Sequence, residues 1–411
     1  MTEILTNQPA ALADAPARFT KSFTRQEPIP EAAIDAAVEV MRSGALHRYG
    51  AEPSQVAALE TEFAAQTGAR HALAVASGGY AMGCALRALG VRSGDPVLTN
   101  GWTLAPVPGA IAATGARPVL VEVTEDLTID LDDLDAKAPG ARILMLSHMR
   151  GHLADMARLM AICDRHGITV IEDCAHTMGA AWDGLASGRW GTIGCYSTQT
   201  YKHVNSGEGG LIVTDDPDLA AKMILLSGSY MLYARNGTAP DEATFARHKA
   251  AMPNVSGRMD ELRAAILRPQ LADLPRQAAR WAALYRALED GLRAAPGLRI
   301  IERSAAESFV GSSLQVLVDD PAQVPAFLAA CAVRGVEWKW FGHAMAQGFT
   351  SAHHHWGYVA AQALPRTDAI LARLLDIRLP LTFDPADCTL IGRIVAEEAA
   401  CHLAPAARVG G

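Results

Sequence analysis

The hydrophobic pattern of this chain alternates between short unbroken apolar runs and stretches with an apolar residue every three or four positions. The unbroken runs Ala72–Val75, Val97–Thr99, Pro118–Val123, Ile143–Ser147 and Thr169–Ile171 predict buried strands. The spaced stretches predict helices. Asp155–His166 carries Met156, Leu159, Met160 and Cys163 at i, i+3, i+4 and i+7 and stops at Gly167. Tyr80–Leu89, closed by Gly90, and about Pro106–Thr114 fill the gaps between earlier strands. Strand–helix units in series predict a mainly parallel sheet covered by helices on both faces.

The flanks read differently. Residues 1–30 form a loose arm, and a helix from Pro30 to a stop at Gly44 would turn Ile34, Val38 and Met41 to one face. Pro53–Thr67 repeats the pattern with Val56, Leu59, Phe63 and Ala64. Beyond Met223 the pattern loosens, and the polar stretch Arg235–Ala250 reads as mobile. A long helix, Met259–Leu288, is expected to kink or break at Pro269 and Pro275. Strand Leu314–Val318, helix Pro321–Arg334, strand Val336–Phe341 and helix Ala386–His402 complete a smaller α+β unit. The expected organisation is an arm (1–30), a large α/β domain (31–258), and a connecting helix with a small C-terminal domain (259–411).

At 411 residues, half of them hydrophobic, the chain can bury a large core. A net charge of −8 argues against nucleic acid or an anionic membrane as the main partner, and no apolar run reaches membrane-spanning length. The N-terminus lacks the look of a secretory signal, and seven scattered cysteines suit a reducing compartment, so a cytoplasmic location is expected.

Candidate chemistry gathers between Ile168 and Thr214. An apolar strand ends in Asp173, a second run delivers the Ser197 hydroxyl, Lys202 follows, and Gly207-Glu208-Gly209-Gly210 turns into a further strand. Only six lysines exist, and Lys202 alone sits between a strand end and a glycine turn. A rigidly placed lysine and a buried acid are what pyridoxal 5'-phosphate (PLP) requires: an amine for its aldehyde, and a fixed negative charge for its ring nitrogen. Side chains alternate along a strand, so Asp173 would face the site and Glu172 the other side. His176 is placed to meet the ring oxygen and Trp102 to cover the ring, while Ser77-Gly78-Gly79 ahead of a helix suits phosphate. Each also has an ordinary reading: a surface lysine, a salt-bridged acid, a core histidine, a packed tryptophan, a tight turn.

Taken together, the chain resembles the DegT/DnrJ/EryC1/StrS family of PLP-dependent sugar aminotransferases. The likeness runs through YGAEPSQVAALETEFAAQTGARHALAVASGG, HMRGHLADMARLMAICDRHGITVIEDCAHTMGA, YSTQTYKHVNSGEGGLIVT and GRMDELRAAILRPQL. It implies the aspartate-aminotransferase (type I) fold, with a large mainly parallel sheet domain and a smaller α+β domain. Lys202 would bond the cofactor and carry the proton, Asp173 would hold the ring nitrogen, His176 would face the ring oxygen and Trp102 would stack on the ring. Ser197 and the backbone of Gly78, Gly79 and Tyr80 would bind the phosphate. The reaction implied moves an amino group from glutamate or glutamine to a keto-sugar or carbocyclic acceptor, in a homodimer with shared active sites.

Two departures from the family pattern stand out. Gly79 replaces a usual threonine, and the usual Asn-x-Arg-Met reads Asn254-Val-Ser256-Gly-Arg258-Met259, so either Asn254 or Ser256 would reach the neighbouring subunit's phosphate. A family branch with histidine in place of the lysine performs dehydration; Lys202 favours transamination. A sugar dehydratase, or transfer to a non-sugar ketone or aldehyde, is the competing reading. Acceptor specificity is expected from segments 44–52, 228–256 and 340–357. Within the last, three consecutive histidines, His353–His355, do not easily converge on one ion, so no metal is expected and a solvated or substrate-lining loop is.

Overall fold

The computed structural model describes residues 16–50, 52–348 and 350–403; residues 1–15 of the expected arm lie outside these. Seven strands build the larger sheet: β1 (His71–Val75), β2 (Pro96–Asn100), β3 (Arg117–Val121), β4 (Ile143–Ser147), β5 (Thr169–Asp173), β6 (Ile193–Ser197) and β7 (Gly210–Thr214). Their order is β1-β7-β6-β5-β4-β2-β3. The run from β3 to β6 is parallel, and β7 and β1 add an antiparallel edge. Strands β4 and β6 are buried at every position. That is why they read as unbroken apolar runs rather than as alternation: helices cover both faces. The carboxyl ends of the parallel strands, where ligands of such sheets bind, carry Asn100, Ser147, Asp173 and Ser197.

A second sheet holds β8 (Leu298–Ile300), β9 (Ser313–Val318), β10 (Lys339–Trp340) and β11 (Leu374–Arg378), in the order β8-β9-β11-β10 and wholly antiparallel. The strand expected over Val336–Phe341 shortens to Lys339–Trp340. The central strand β11 was not anticipated, because its LLDIR run places two charges where a buried strand ordinarily has none.

Of the two outcomes expected at its prolines, the long helix shows no break. It runs unbroken from Glu261 to Leu292 with Pro269 and Pro275 inside. The Gln270 side chain donates to the Ile266 carbonyl at 2.8 Å, beside the gap left by the missing proline N–H. Leu271, Leu274, Trp281, Leu284 and Leu288 bury one side of it. The first helix (Glu31–Ser43) packs on it through Ala33, Ala37 and Val40, whereas the expected Ile34 and Met41 are exposed. Small residues let the two backbones approach closely, so the apolar stripe read from the larger side chains is turned outward. Within the stretch read as mobile, Glu242–His248 is helical, and Phe245 is buried against Tyr233 with ring centroids 4.1 Å apart.

Candidate active site

The end of β5 splits two acids to two tasks. Glu172 turns to one face and is held by His148 Nε2 at 2.9 Å and by the N–H groups of Gly188 (2.8 Å) and Gly191 (2.6 Å). Asp173 turns to the other. Its Oδ2 accepts from Ser147 Oγ at 2.9 Å and its Oδ1 from the Ala175 N–H at 3.1 Å. Thr103 Oγ1 donates to Ser147 Oγ at 2.7 Å, and the Asn100 amide brackets the Ser147 backbone. Burial pushes the Asp173 carboxyl up, against the pull of the Lys202 charge and these hydrogen bonds. The strand alternation expected for this pair holds.

Lys202 lies in the turn between β6 and β7, with its Nζ 2.9 Å from His176 Nε2. Burial lowers its pKa to about 7; Asp173 pulls it back up, and Arg150, Arg378 and Lys339 push it down. Burial also holds His176 well below the usual imidazole range, reinforced by the Lys202 charge. A neutral imidazole therefore faces an amine that is free to lose its proton near pH 7.

Ser197, at the end of β6, meets the start of the helix Gly78–Ala88. A Cβ on Gly78 would stand 2.9 Å from Ser197 Cβ, so glycine is what lets helix end and hydroxyl approach. Ser77 Oγ caps this helix by accepting from the Tyr80 N–H at 3.0 Å. That engages one of the expected phosphate donors and leaves the N–H groups of Gly78 and Gly79, which no preceding helical turn can satisfy. Tyr80 serves elsewhere: its hydroxyl donates to the Leu226 carbonyl at 3.1 Å, and its ring lies where a Cβ on Gly257 would come within 1.9 Å. Gly257, inside the altered Asn254–Met259 stretch, is thus the residue that passes beneath Tyr80. At Gly79 the nearest atom to an added Cβ is 3.9 Å away, so no steric conflict bars the usual threonine.

A family profile, described as the DegT/DnrJ/EryC1/StrS aminotransferase family, matches residues 28–395. The chain belongs to this family. It is 36% identical over 274 residues to the dTDP-3-amino-3,4,6-trideoxy-alpha-D-glucose transaminase of Streptomyces venezuelae, covering 65% of this chain and 67% of that one. It is 32% identical over 249 residues to the L-glutamine:2-deoxy-scyllo-inosose aminotransferase of Streptomyces kanamyceticus, covering 59% of this chain and 58% of that one. The crystal structure of Streptomyces venezuelae DesV superimposes with a TM-score of 0.76 at 28% identity, covering 89% of this chain and 94% of that one. The fold is that of the type I PLP aminotransferases.

Within this aminotransferase frame, Trp102 lies apart from the Lys202 cavity. Trp102 is 1% exposed and packs edge-on against Phe341 at 5.5 Å, in the seam between the two sheets. Leu104, two residues on, lines the Lys202 cavity instead. The loop after β2 turns the larger aromatic ring into the apolar seam, where burying it gains most. Asn254 and Ser256 do not line the cavity of their own chain; Asn254 Oδ1 accepts from the Ser256 N–H (2.9 Å) and Oγ (3.2 Å), both on an exposed loop. The histidine run forms a single 3-10 turn that stays outside the Lys202 cavity. Ring nitrogens of His353 and His354 do come within 4.8 Å of an Asp368 oxygen, closer than consecutive residues were expected to converge, but His353 Nε2 is already bonded to Asp368 at 2.7 Å.

The cavity has a volume of about 150 Å³, and Arg150, Lys339 and Arg378 line it beside Lys202 and His176. Nothing in the sequence marks Arg150 or Arg378. Lys339 carried the one available signal, being one of only six lysines, here between Trp338 and Trp340.

Proposed function

We propose that this protein binds PLP and moves an amino group from glutamate or glutamine to a keto-sugar or carbocyclic ketone. The carrying observation is the buried Lys202 amine, with its pKa lowered to about 7, 2.9 Å from His176 and electrostatically coupled to Asp173. The residues suit the cofactor part by part. Ser197 and the N–H groups of Gly78 and Gly79 offer donors for a phosphate, Asp173 offers a carboxylate for a protonated ring nitrogen, and Leu104 offers an apolar surface for a ring. Glutamine as donor, and sugars or aminocyclitols as acceptors, are favoured by the names of the relatives.

When bound, PLP supplies an electron sink that makes a carbon–hydrogen bond next to the substrate nitrogen acidic. The chain's own groups do the rest. Lys202 in its neutral form is a nucleophile at pH 7, and later takes a proton from one carbon and returns it to another. His176 shares a hydrogen bond with Lys202 Nζ and fixes its direction. Asp173 holds its charge in place because Ser147, Thr103 and Asn100 leave it no freedom to turn. Asp173, only 6% exposed, is shielded from water.

A homodimer accompanies this reading. Tyr230, Met231 and Val255 are exposed (57%, 77% and 45%) around the loop that carries Asn254 and Ser256. An apolar patch there suits contact with a second copy, which would bring Asn254 or Ser256 to the other subunit's phosphate.

To test the activity, PLP is added to purified protein, then glutamate or glutamine, and the cofactor absorbance and 2-oxo acid release are followed. Amine uptake by wild type and none by Lys202→Ala is expected. Normal uptake by Lys202→Ala would overturn the assignment.

A further inference from the structure

One wall of the Lys202 cavity carries more positive charge than the protein neutralises. Arg150, Lys339 and Arg378 all line it, and the one carboxylate among them is Asp376, wholly buried in β11. Arg150 Nη2 lies 3.2 Å and Lys339 Nζ 3.6 Å from the same Asp376 oxygen, while Gln315 donates to the other oxygen at 2.7 Å. Arg378 makes no ion pair among the described residues; its guanidinium stacks on the Tyr201 ring at 4.0 Å. Three cations thus share one anion, since the other carboxylates lining the cavity, Glu27 and Asp273, are paired with Arg280 and Arg276.

Arg150 is the most exceptional of the three. Its φ is 54°, a left-handed backbone that arginine adopts rarely and that tends to mark functional sites. Its buried Nε makes no hydrogen bond, and its buried Nη2 has only the Asp376 oxygen at 3.2 Å, outside hydrogen-bond geometry. Those two nitrogens form the side edge of the guanidinium, the fork that grips a carboxylate with two parallel bonds. Ser197 and the Gly78 turn, the donors expected for the cofactor's phosphate, do not line this wall.

Resting on the aminotransferase reading above, we propose that Arg150, Lys339 and Arg378 form a site for a substrate carboxylate, which the ligand brings to complete the charge balance of this wall. Two sources share that chemistry: the amino-acid donor, or a keto acceptor that is itself an acid.

Glutarate, which has carboxylates but no amine, is titrated calorimetrically into the PLP-loaded enzyme, with neutral glutaramide as control. Glutarate alone should bind, and Arg150→Leu and Lys339→Met should each raise its Kd at least about tenfold, with Arg150→Lys recovering part. Equal binding of glutaramide, or an unchanged Kd in both variants, overturns the site. So does a result in which the variants lose PLP but those still loaded bind glutarate normally, since the charge then serves the cofactor.

The source follows from rates. A tenfold fall in kcat/KM for the glutamate half-reaction, carried by KM, assigns the carboxylate to the donor. If that half-reaction is unchanged, and the preference for 3-oxocyclohexanecarboxylate over cyclohexanone as amine acceptor disappears, the carboxylate is the acceptor's. No change in either reaction overturns the proposal. Should wild type bind glutarate through Arg150 yet never take an amine, the aminotransferase reading fails while the site stands.

Discussion

The Lys202 cavity has two walls built to different rules. On the large-sheet side, every group that would do chemistry has a partner: Lys202 has His176, and Asp173, which does not itself line the cavity, has Ser147 and Ala175. On the small-sheet side, cations outnumber carboxylates and the Arg150 fork makes no hydrogen bond. The first wall is complete within the chain, since its members must hold fixed positions before any substrate arrives. The second is complete only with an anion. Fixed reactivity comes from satisfied polar groups, and recognition from groups left short of a partner.

The hardest blow to this contrast is Lys202→Ala. It should lower amine transfer by about 10⁴-fold or more, while the protein keeps its fold and still binds PLP without a covalent bond; rapid-quench assays and circular dichroism check both. Asp173→Asn keeps the shape but not the charge, and should cost about 10³-fold in kcat with little loss of stability. Glu172→Gln, one residue away, should do the reverse. It weakens the buried acceptor that His148 and two backbone N–H groups share, so chemical denaturation should show a loss of about 1–3 kcal/mol, with turnover per folded molecule nearly intact. If the two acids behaved alike, the division of labour along β5 would be wrong.

A pH profile sharpens the same contrast more gently. The folded Lys202 has its pKa lowered to about 7, so its reactive neutral form is present above that pH and is lost as pH falls below it. The rate of PLP loading should therefore drop about tenfold per pH unit below 7 and level off above it. An inflection near the ordinary lysine value would mean the amine is not buried as described. The smallest effect is expected from Gly79→Thr. Space exists for the side chain, with the nearest atom 3.9 Å from the new Cβ. PLP should bind about threefold more tightly through one added hydroxyl, with unfolding unchanged within about 0.5 kcal/mol.

How much of this could be read from the string varies by wall. Asp173 and Lys202 were accessible because both follow buried strands, and strand period plus a count of six lysines left little choice. Trp102 packs in the seam rather than in the cavity because it lies in a loop, where no period says which side chain turns inward. Arg150 was missed because nothing in His-Met-Arg-Gly-His announces a left-handed arginine. The β11 strand was missed because Asp376 and Arg378 break its apolar run, and those two charges are tolerated only because the cavity and its cations lie beside them.

By itself, the sequence determined the strands of the parallel sheet, their order along the chain and the chemical groups at their ends, because unbroken apolar runs report strands covered on both faces. Only the tertiary structure decided which distant groups share one cavity. Lys202 meets Arg150 from β4's far end, and Lys339 and Arg378 from the second sheet, by the docking of two layers. That docking removes water around the amine, and the loss of water is what lowers the Lys202 pKa and leaves the opposite wall short of negative charge.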